Sequence, residues 1–194
     1  TGAVRFNDAV VLGADTTIAT TNSNVTFAAV VDSANATARA LTVAAGSGDV
    51  SLVSAVGSTN TLGAMTINST GETRFDGAVT AASLLTNAGG TTVLNGGSVT
   101  TTGAITLNDA VTLGATTTLS GQNVTLASTV NGAYGLTVND GGVTTFGGVV
   151  GGTAALASLT TDAAGSTRIN GGAITTTGAV RFNDAVVLGA DTTI

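Results

Sequence analysis

The sequence predicts an all-β chain wound as a parallel β-helix, a β-solenoid of about 20 residues per turn and roughly nine to ten turns. Three observations predict it. First, the opening segment TGAVRFNDAVVLGADTTI, Thr1 to Ile18, returns letter for letter from Thr177 to Ile194, and a diverged copy, TGAITLNDAVTLGATTTL, runs from Thr102 to Leu119. Second, the copies start at Thr1, Thr102 and Thr177, so one kind of unit exists in a long and a short version. Third, the stretches between turn residues alternate as strands do.

The internal offsets decide between a solenoid and a sandwich. Asn24-Val25-Thr26-Phe27 matches Asn123-Val124-Thr125-Leu126 at an offset of 99, Leu41-Thr42-Val43 matches Leu136-Thr137-Val138 at 95, and Ser83-Leu84 matches Ser158-Leu159 at 75. Between Val43 and Ser83 the offset therefore drops by 20, as if one block had been gained or lost whole. Removing such a block from a sandwich strands an unpaired edge. Removing a turn from a solenoid only shortens it, because each turn touches only its neighbours. The chain 1–194 is thus expected to be one continuous solenoid, with internal units 1–101 (about five turns), 102–176 (about four turns) and 177–194, the start of the next unit. At about 4.8 Å between stacked strands, nine turns would advance the axis by about 43 Å.

The elements follow in order. Val4-Arg5-Phe6, Val50-Ser51-Leu52, Thr73-Arg74-Phe75, Ile105-Thr106-Leu107 and Thr167-Arg168-Ile169 alternate, and Thr and Val favour pleated, half-buried positions. Asn95-Gly96-Gly97 and Asn170-Gly171-Gly172 mark turns, because Asn and Gly tolerate positive φ. An apolar marker recurs, mostly about one turn apart, at Phe6, Phe27, Leu52, Phe75, Leu94, Leu107, Leu126, Phe146, Ile169 and Phe182. Two steps are clearly shorter, from Leu94 to Leu107 and from Ile169 to Phe182, at equivalent places in the repeat. Phe6, Phe27, Leu52 and Phe75 are expected to stack in one inward column, and Val10, Val30, Val56 and Val79 near the next corner, with Arg5, Arg74 and Arg181 pointing outward. The helix-like stretch Ala34 to Ala45 is expected to be a short surface excursion. Neither end shows a recognisable cap, so more coil is expected on both sides.

Composition excludes several function classes. The 194 residues contain no Cys, Pro, His, Trp or Lys, but 28 Gly and 39 Thr. Charged residues are 8% of the chain, against roughly 25% in ordinary globular domains. Net charge is -6, and the only cations are Arg5, Arg39, Arg74, Arg168 and Arg181. Five scattered arginines cannot neutralise a run of phosphates, so no nucleic-acid partner is expected. Polybasic membrane attachment fails for the same reason, and no 18-residue apolar run offers direct membrane insertion. Absence of cysteine excludes a disulfide scaffold and suits a secreted bacterial protein held unfolded until export.

Candidate chemistry is sparse. Without His or Cys there is no His-based triad and no thiolate nucleophile, so no catalytic residue and no cofactor is predicted. Asp8, Asp109 and Asp184 occupy the same repeat position, in Asn-Asp-Ala. A residue that recurs in each copy reads as a turn residue whose carboxylate caps backbone N–H groups. Asn139-Asp140-Gly141-Gly142 is the nearest fragment to a calcium β-roll, which needs G-G-x-G-x-D in strict nine-residue tandem, and it does not recur at nine. Asp8, Asp109, Asp140 and Asp184 are therefore only weak metal candidates. Thr100-Thr101-Thr102, Thr116-Thr117-Thr118 and Thr175-Thr176-Thr177 suggest an ice-binding ladder, but they do not recur in each turn and read as a solvated β-branched face. Four Asn-x-Ser/Thr matches follow from threonine abundance. Tyr134, the sole tyrosine, gives thin support for sugar stacking.

The run GAVTAASLLTNAGGTTVLNGGSVTTTGAITLNDAVTLGATTTLSG, Gly77 to Gly121, resembles the repeats of very large bacterial surface proteins, the filamentous-haemagglutinin-like adhesins and related autotransporter or two-partner-secreted exoproteins. The resemblance covers essentially the whole chain and is compositional and periodic. It implies a right-handed parallel β-helix, exported through the outer membrane of a Gram-negative cell and projecting from its surface as a stalk or fibre in adhesion, aggregation or biofilm matrix. The implied partners are neighbouring turns of the same long chain or adjacent filament subunits, with surface polysaccharide as a further candidate. The expected function is a structural shaft. The alternatives are a carbohydrate-binding or carbohydrate-degrading β-helix and a self-assembling extracellular fibre subunit.

Overall fold

The computed structural model describes residues 2–194. Among the described residues every element is a strand, and all strand pairs are parallel. The chain is a β-solenoid of stacked coils with three faces, each strand pairing with its counterpart one coil on.

The first face carries Val4–Phe6, Val25–Phe27, Val50–Leu52, Glu72–Phe75, Thr91–Leu94, Ala110–Leu113 and Val130–Asn131 in that order, and bridges from Val130 to Val150 to Ile174 continue it. On the second face Val10–Leu12 pairs with Val31–Ser33. From there the ladder runs through Val56, Val79, Val99, Leu119, Val138, Thr161 and Phe182. The third face stacks Ile18, Val43, Ile67, Thr86, Leu107, Leu126, Phe146, Ile169 and Leu188. Coil length varies: the coil from Thr73 to its register partner Thr92 is short, and the coil from Val25 to Val50 is long.

The predicted column Phe6–Phe27–Leu52–Phe75 forms in register. The Phe6 and Phe27 rings stack at 5.0 Å with an interplanar angle of 14°. The predicted valine column is corrected by one residue: Val10 pairs with Val31, and Val30 lies half-buried just before it. The pleat explains the correction, since a one-residue shift moves a side chain to the other face of the strand. The helix-like stretch divides. Residues 34–40 form an irregular loop whose first five members are exposed, but Leu41–Gly46 is a strand that buries Leu41, Val43 and Ala45 in the core. β-Branched neighbours and an alternating pattern override the helix propensity of its alanines. Arg5, Arg74 and Arg181 point outward and are exposed.

The two short steps of the apolar marker also have a physical origin. Phe6 through Leu94 mark the first face, Leu107 through Ile169 mark the third, and Phe182 lies on the second. At each short step the apolar marker passes to another face. The repeated segment does the same. Its three strands occupy the first, second and third faces at Val4–Phe6, Val10–Leu12 and Thr16–Ala19. In the middle copy Ile105–Leu107 is on the third face, Ala110–Leu113 on the first and Thr117–Gly121 on the second. In the last copy Val180–Phe182 is on the second, Ala185–Leu188 on the third, and Thr193 bridges Ala173 on the first. The long unit therefore spans four turns and two faces, the short unit three turns and two faces, and the whole period eight turns and one face. At about 4.8 Å per turn that period is about 40 Å long.

Tight corners use residues that accept a left-handed backbone. Gly57 and Gly151 have φ of 68° and 74°, and a Cβ on either would collide with a carbonyl of the next coil, Thr80 and Thr175 respectively. Asn22 and Asn123, at φ 54° and 65°, do the same job with a side chain. Their Oδ1 atoms accept the N–H groups of Ser47 and Val143 one coil on.

Candidate functional site: the corner carboxylates

Solenoid corners interrupt the strand ladder, so their backbone N–H groups need other acceptors. Asn and Asp side chains supply them, coil to coil. Asn24 Oδ1 accepts Asp49 N–H at 2.9 Å, and Asp49 Oδ1 accepts Glu72 N–H at 2.9 Å. Asp15 Oδ1 accepts Ala40 N–H at 2.9 Å, and Asp32 Oδ1 accepts Thr59 N–H at 3.0 Å. These side chains reach forward along the axis.

The four acids singled out by sequence behave differently. Asp109 reaches back, and it is buried at 2% exposure. Its carboxylate accepts Gly90 N–H at 2.8 Å and the Thr92 hydroxyl at 3.3 Å. Burial pushes its carboxyl above the ordinary range, opposed by the Gly90 N–H and the hydroxyls of Thr92 and Thr86. Asp184 repeats the arrangement at the equivalent place in the next unit, accepting the hydroxyls of Thr161 at 2.9 Å and Thr167 at 2.9 Å. Thr161 and Thr167 are the repeat equivalents of Thr86 and Thr92. The neighbouring asparagines match too: Asn108 Nδ2 donates to Thr86 carbonyl at 2.7 Å, and Asn183 Nδ2 to Thr161 carbonyl at 2.6 Å. Asp8 stands at the same position in the first coil and is exposed. Asp140 is buried at 1% exposure. It accepts the N–H groups of Asn123 at 2.7 Å, Val124 at 2.8 Å and Gly142 at 2.8 Å, and the Thr144 hydroxyl at 3.1 Å.

The four acids do not converge, because they lie at corners of separate coils. A calcium ion takes six to eight oxygen ligands, whereas both Asp140 oxygens are already engaged by donors. Among the described residues, no group of three or more His, Cys, Asp or Glu side chains could hold a metal ion, and no pocket opens in the surface. What the carboxylates can do is join one coil to the next.

Sequence reasoning found the recurrence of Asp8, Asp109 and Asp184 but missed the threonine partners of Asp109 and Asp184. The signal was present, since Thr86 and Thr92 recur as Thr161 and Thr167 with the same spacing as their aspartates. A further feature carries no sequence signal. Thr73 sits inward between Val50 and Thr92, and its hydroxyl is buried without a hydrogen-bond partner. On the outside, Arg74 Nε pairs with Asp76 at 2.7 Å, and Asp76 also accepts Asn95 Nδ2 at 2.6 Å. The chain matches no protein-family model, no curated protein and no solved structure.

Proposed function

We propose that this chain is a segment of the shaft of a large extracellular surface protein or filament of a Gram-negative bacterium, holding an adhesive or matrix-forming part away from the cell. The observation that carries this reading is the unbroken stack of inward ladders on all three faces, from Val4, Val10 and Ile18 in the first coil onward. Such a stack is stiff along its axis and lengthens by repetition, since each coil needs only its neighbours. The resemblance of Gly77 to Gly121 to adhesin repeats supplies the cellular setting.

The test is deletion of one register-matched coil, residues 92–110, which returns Val111 to the place of Thr92. The expected result is a folded chain with an unchanged far-UV signature and a smaller hydrodynamic length. Specific, saturable binding of the unaltered chain to a surface polysaccharide, lost on that deletion, would contradict the shaft reading and favour a carbohydrate-binding β-helix.

A further inference from the structure

Three Asn-Gly pairs sit at corners of the coil, Asn95-Gly96, Asn131-Gly132 and Asn170-Gly171. Such a pair is prone to close on itself, because glycine has no side chain to keep its N–H away from the asparagine carboxamide. The structure holds two of the three shut. Asn95 Nδ2 donates to Asp76 Oδ1 at 2.6 Å, and Gly96 N–H donates to the Phe75 carbonyl at 3.1 Å. Asn131 Oδ1 accepts the N–H groups of Thr153 at 2.9 Å and Ala154 at 3.3 Å, and Gly132 N–H donates to the Ala154 carbonyl at 3.1 Å. In both pairs the carboxamide and the N–H that would attack it are engaged.

Asn170 is the repeat equivalent of Asn95, in the same Asn-Gly-Gly. It follows Ile169, whose register partners are Phe146 and Leu188, so its neighbours along the axis are Gly147 and Gly189. No carboxylate stands where Asp76 stands beside Asn95. Asn170 is exposed, and neither its side-chain amide nor Gly171 N–H has a hydrogen-bond partner among the described residues. Arg168 lies two residues earlier and is exposed as well. At that spacing Arg5 Nε donates to Asn7 Oδ1 at 2.7 Å, and Arg74 Nε donates to Asp76 Oδ1 at 2.7 Å. Asn95 and Asn131 have Val93 and Thr129 at that place, and therefore no cation.

We infer that Asn170 is a site of spontaneous covalent modification, where the chain closes a succinimide on itself and water opens it to a carboxylate, with Arg168 polarising the carboxamide. The Gly171 nitrogen gives up its proton to hydroxide and bonds to Asn170 Cγ. The Cγ–Nδ2 bond breaks, and the side-chain nitrogen leaves as ammonia. Water then opens the five-membered imide at either carbonyl and leaves an aspartyl or an isoaspartyl linkage. The step needs no oxidant and no cofactor. Negative charge develops on Asn170 Oδ1 during the attack, and a guanidinium beside that oxygen stabilises it. Beside Asn95 the Asp76 carboxylate does the opposite: it opposes that charge and ties the amide down with a charge-assisted hydrogen bond. The aspartyl product fits the fold, since Arg74 and Asp76 already form an arginine–carboxylate pair at the same spacing.

Each event adds one negative charge to a chain whose net charge is already -6. The test is ageing of the full chain at mildly alkaline pH, both folded and in urea. Tandem mass spectrometry reads conversion at each asparagine, and labelling by isoaspartyl methyltransferase reads the linkage. In the folded chain Asn170 is expected to convert several-fold faster than Asn95 and Asn131, with both linkages formed. In urea the three rates are expected to draw together, because all three asparagines precede a glycine. Arg168→Ala is expected to slow Asn170 several-fold, and Arg168→Lys, which keeps the charge, to restore the rate; circular dichroism checks the fold of each variant. The inference is overturned if Asn170 converts no faster than Asn95 in the folded chain, if the contrast persists in urea, if only one linkage forms, or if either Arg168 variant departs from its expected rate. None of these outcomes bears on the shaft reading, which the coil deletion tests separately.

Discussion

The middle and terminal copies of the repeated segment are close to a controlled comparison. Leu113 and Leu188 are the same residue at the same repeat position, in strands of nearly the same sequence. Leu113 is 2% exposed and Leu188 58%. Leu107, between coils on both sides, is fully buried, whereas Phe6 and Phe182 at its equivalent positions are only half-buried. Burial in a solenoid is thus conferred by neighbouring coils, and the segment itself supplies only the pattern. The face is conferred in the same way. The segment takes the first, third or second face first, according to the coil lengths that precede it.

The largest expected effect breaks the comparison at that leucine. Leu113→Ala is expected to cost about 2–5 kcal/mol, because the surrounding ladders cannot close the cavity. Leu188→Ala is expected to stay within about 0.5 kcal/mol, with urea unfolding monitored by circular dichroism reading both. The next effect contrasts two threonines on one ladder. Thr92→Val removes a donor from buried Asp109 and is expected to cost roughly 1–3 kcal/mol. Thr73→Val removes a hydroxyl that has no partner and is expected to stabilise by about 1 kcal/mol, read by the same unfolding curves.

A subtler contrast concerns charge. Asp109 is raised by burial, so its folded carboxyl takes up a proton at a higher pH than the unfolded one. Above that raised value the buried charge weakens the fold. As pH falls through it, the native chain gains stability relative to Asp109→Asn, and the gain stops once pH passes below the unfolded carboxyl value. Denaturation of both chains from neutral pH downward measures this. A native-minus-variant difference that falls with acidification would contradict it. The smallest effect is expected at the exposed end. Asp8→Ala should shift the unfolding free energy by less than about 0.5 kcal/mol, because surface changes away from buried networks rarely exceed that.

Much of the fold was legible in the sequence because a solenoid writes its core as recurrence. Phe6, Phe27, Leu52 and Phe75 align by spacing alone, and the structure stacks them. Val30 for Val31 shows the limit, since two adjacent valines give no sign of which points inward. The change of face at Leu107 and Phe182 was visible as two short steps. Reading it as rotation required knowing that coils differ in length, with the loop at 34–40 lengthening one of them. The role of Asp109 was half legible. Recurrence marked it as a corner residue, but its burial and its hold on Thr92 depend on the coil beneath, which no local pattern specifies.

The central claim is that one repeated segment winds through all three faces, and cysteine pairing around Val93 tests it most directly. Val93 is the register neighbour of Thr112 on the first face. If the segment kept the face it occupies at Arg5, Val93 would instead neighbour Thr106, the repeat equivalent of Arg5. A segment that changes face gives a rapid intramolecular disulfide in Val93→Cys/Thr112→Cys and none in Val93→Cys/Thr106→Cys. A disulfide in the second pair, with the first left reduced, would contradict it.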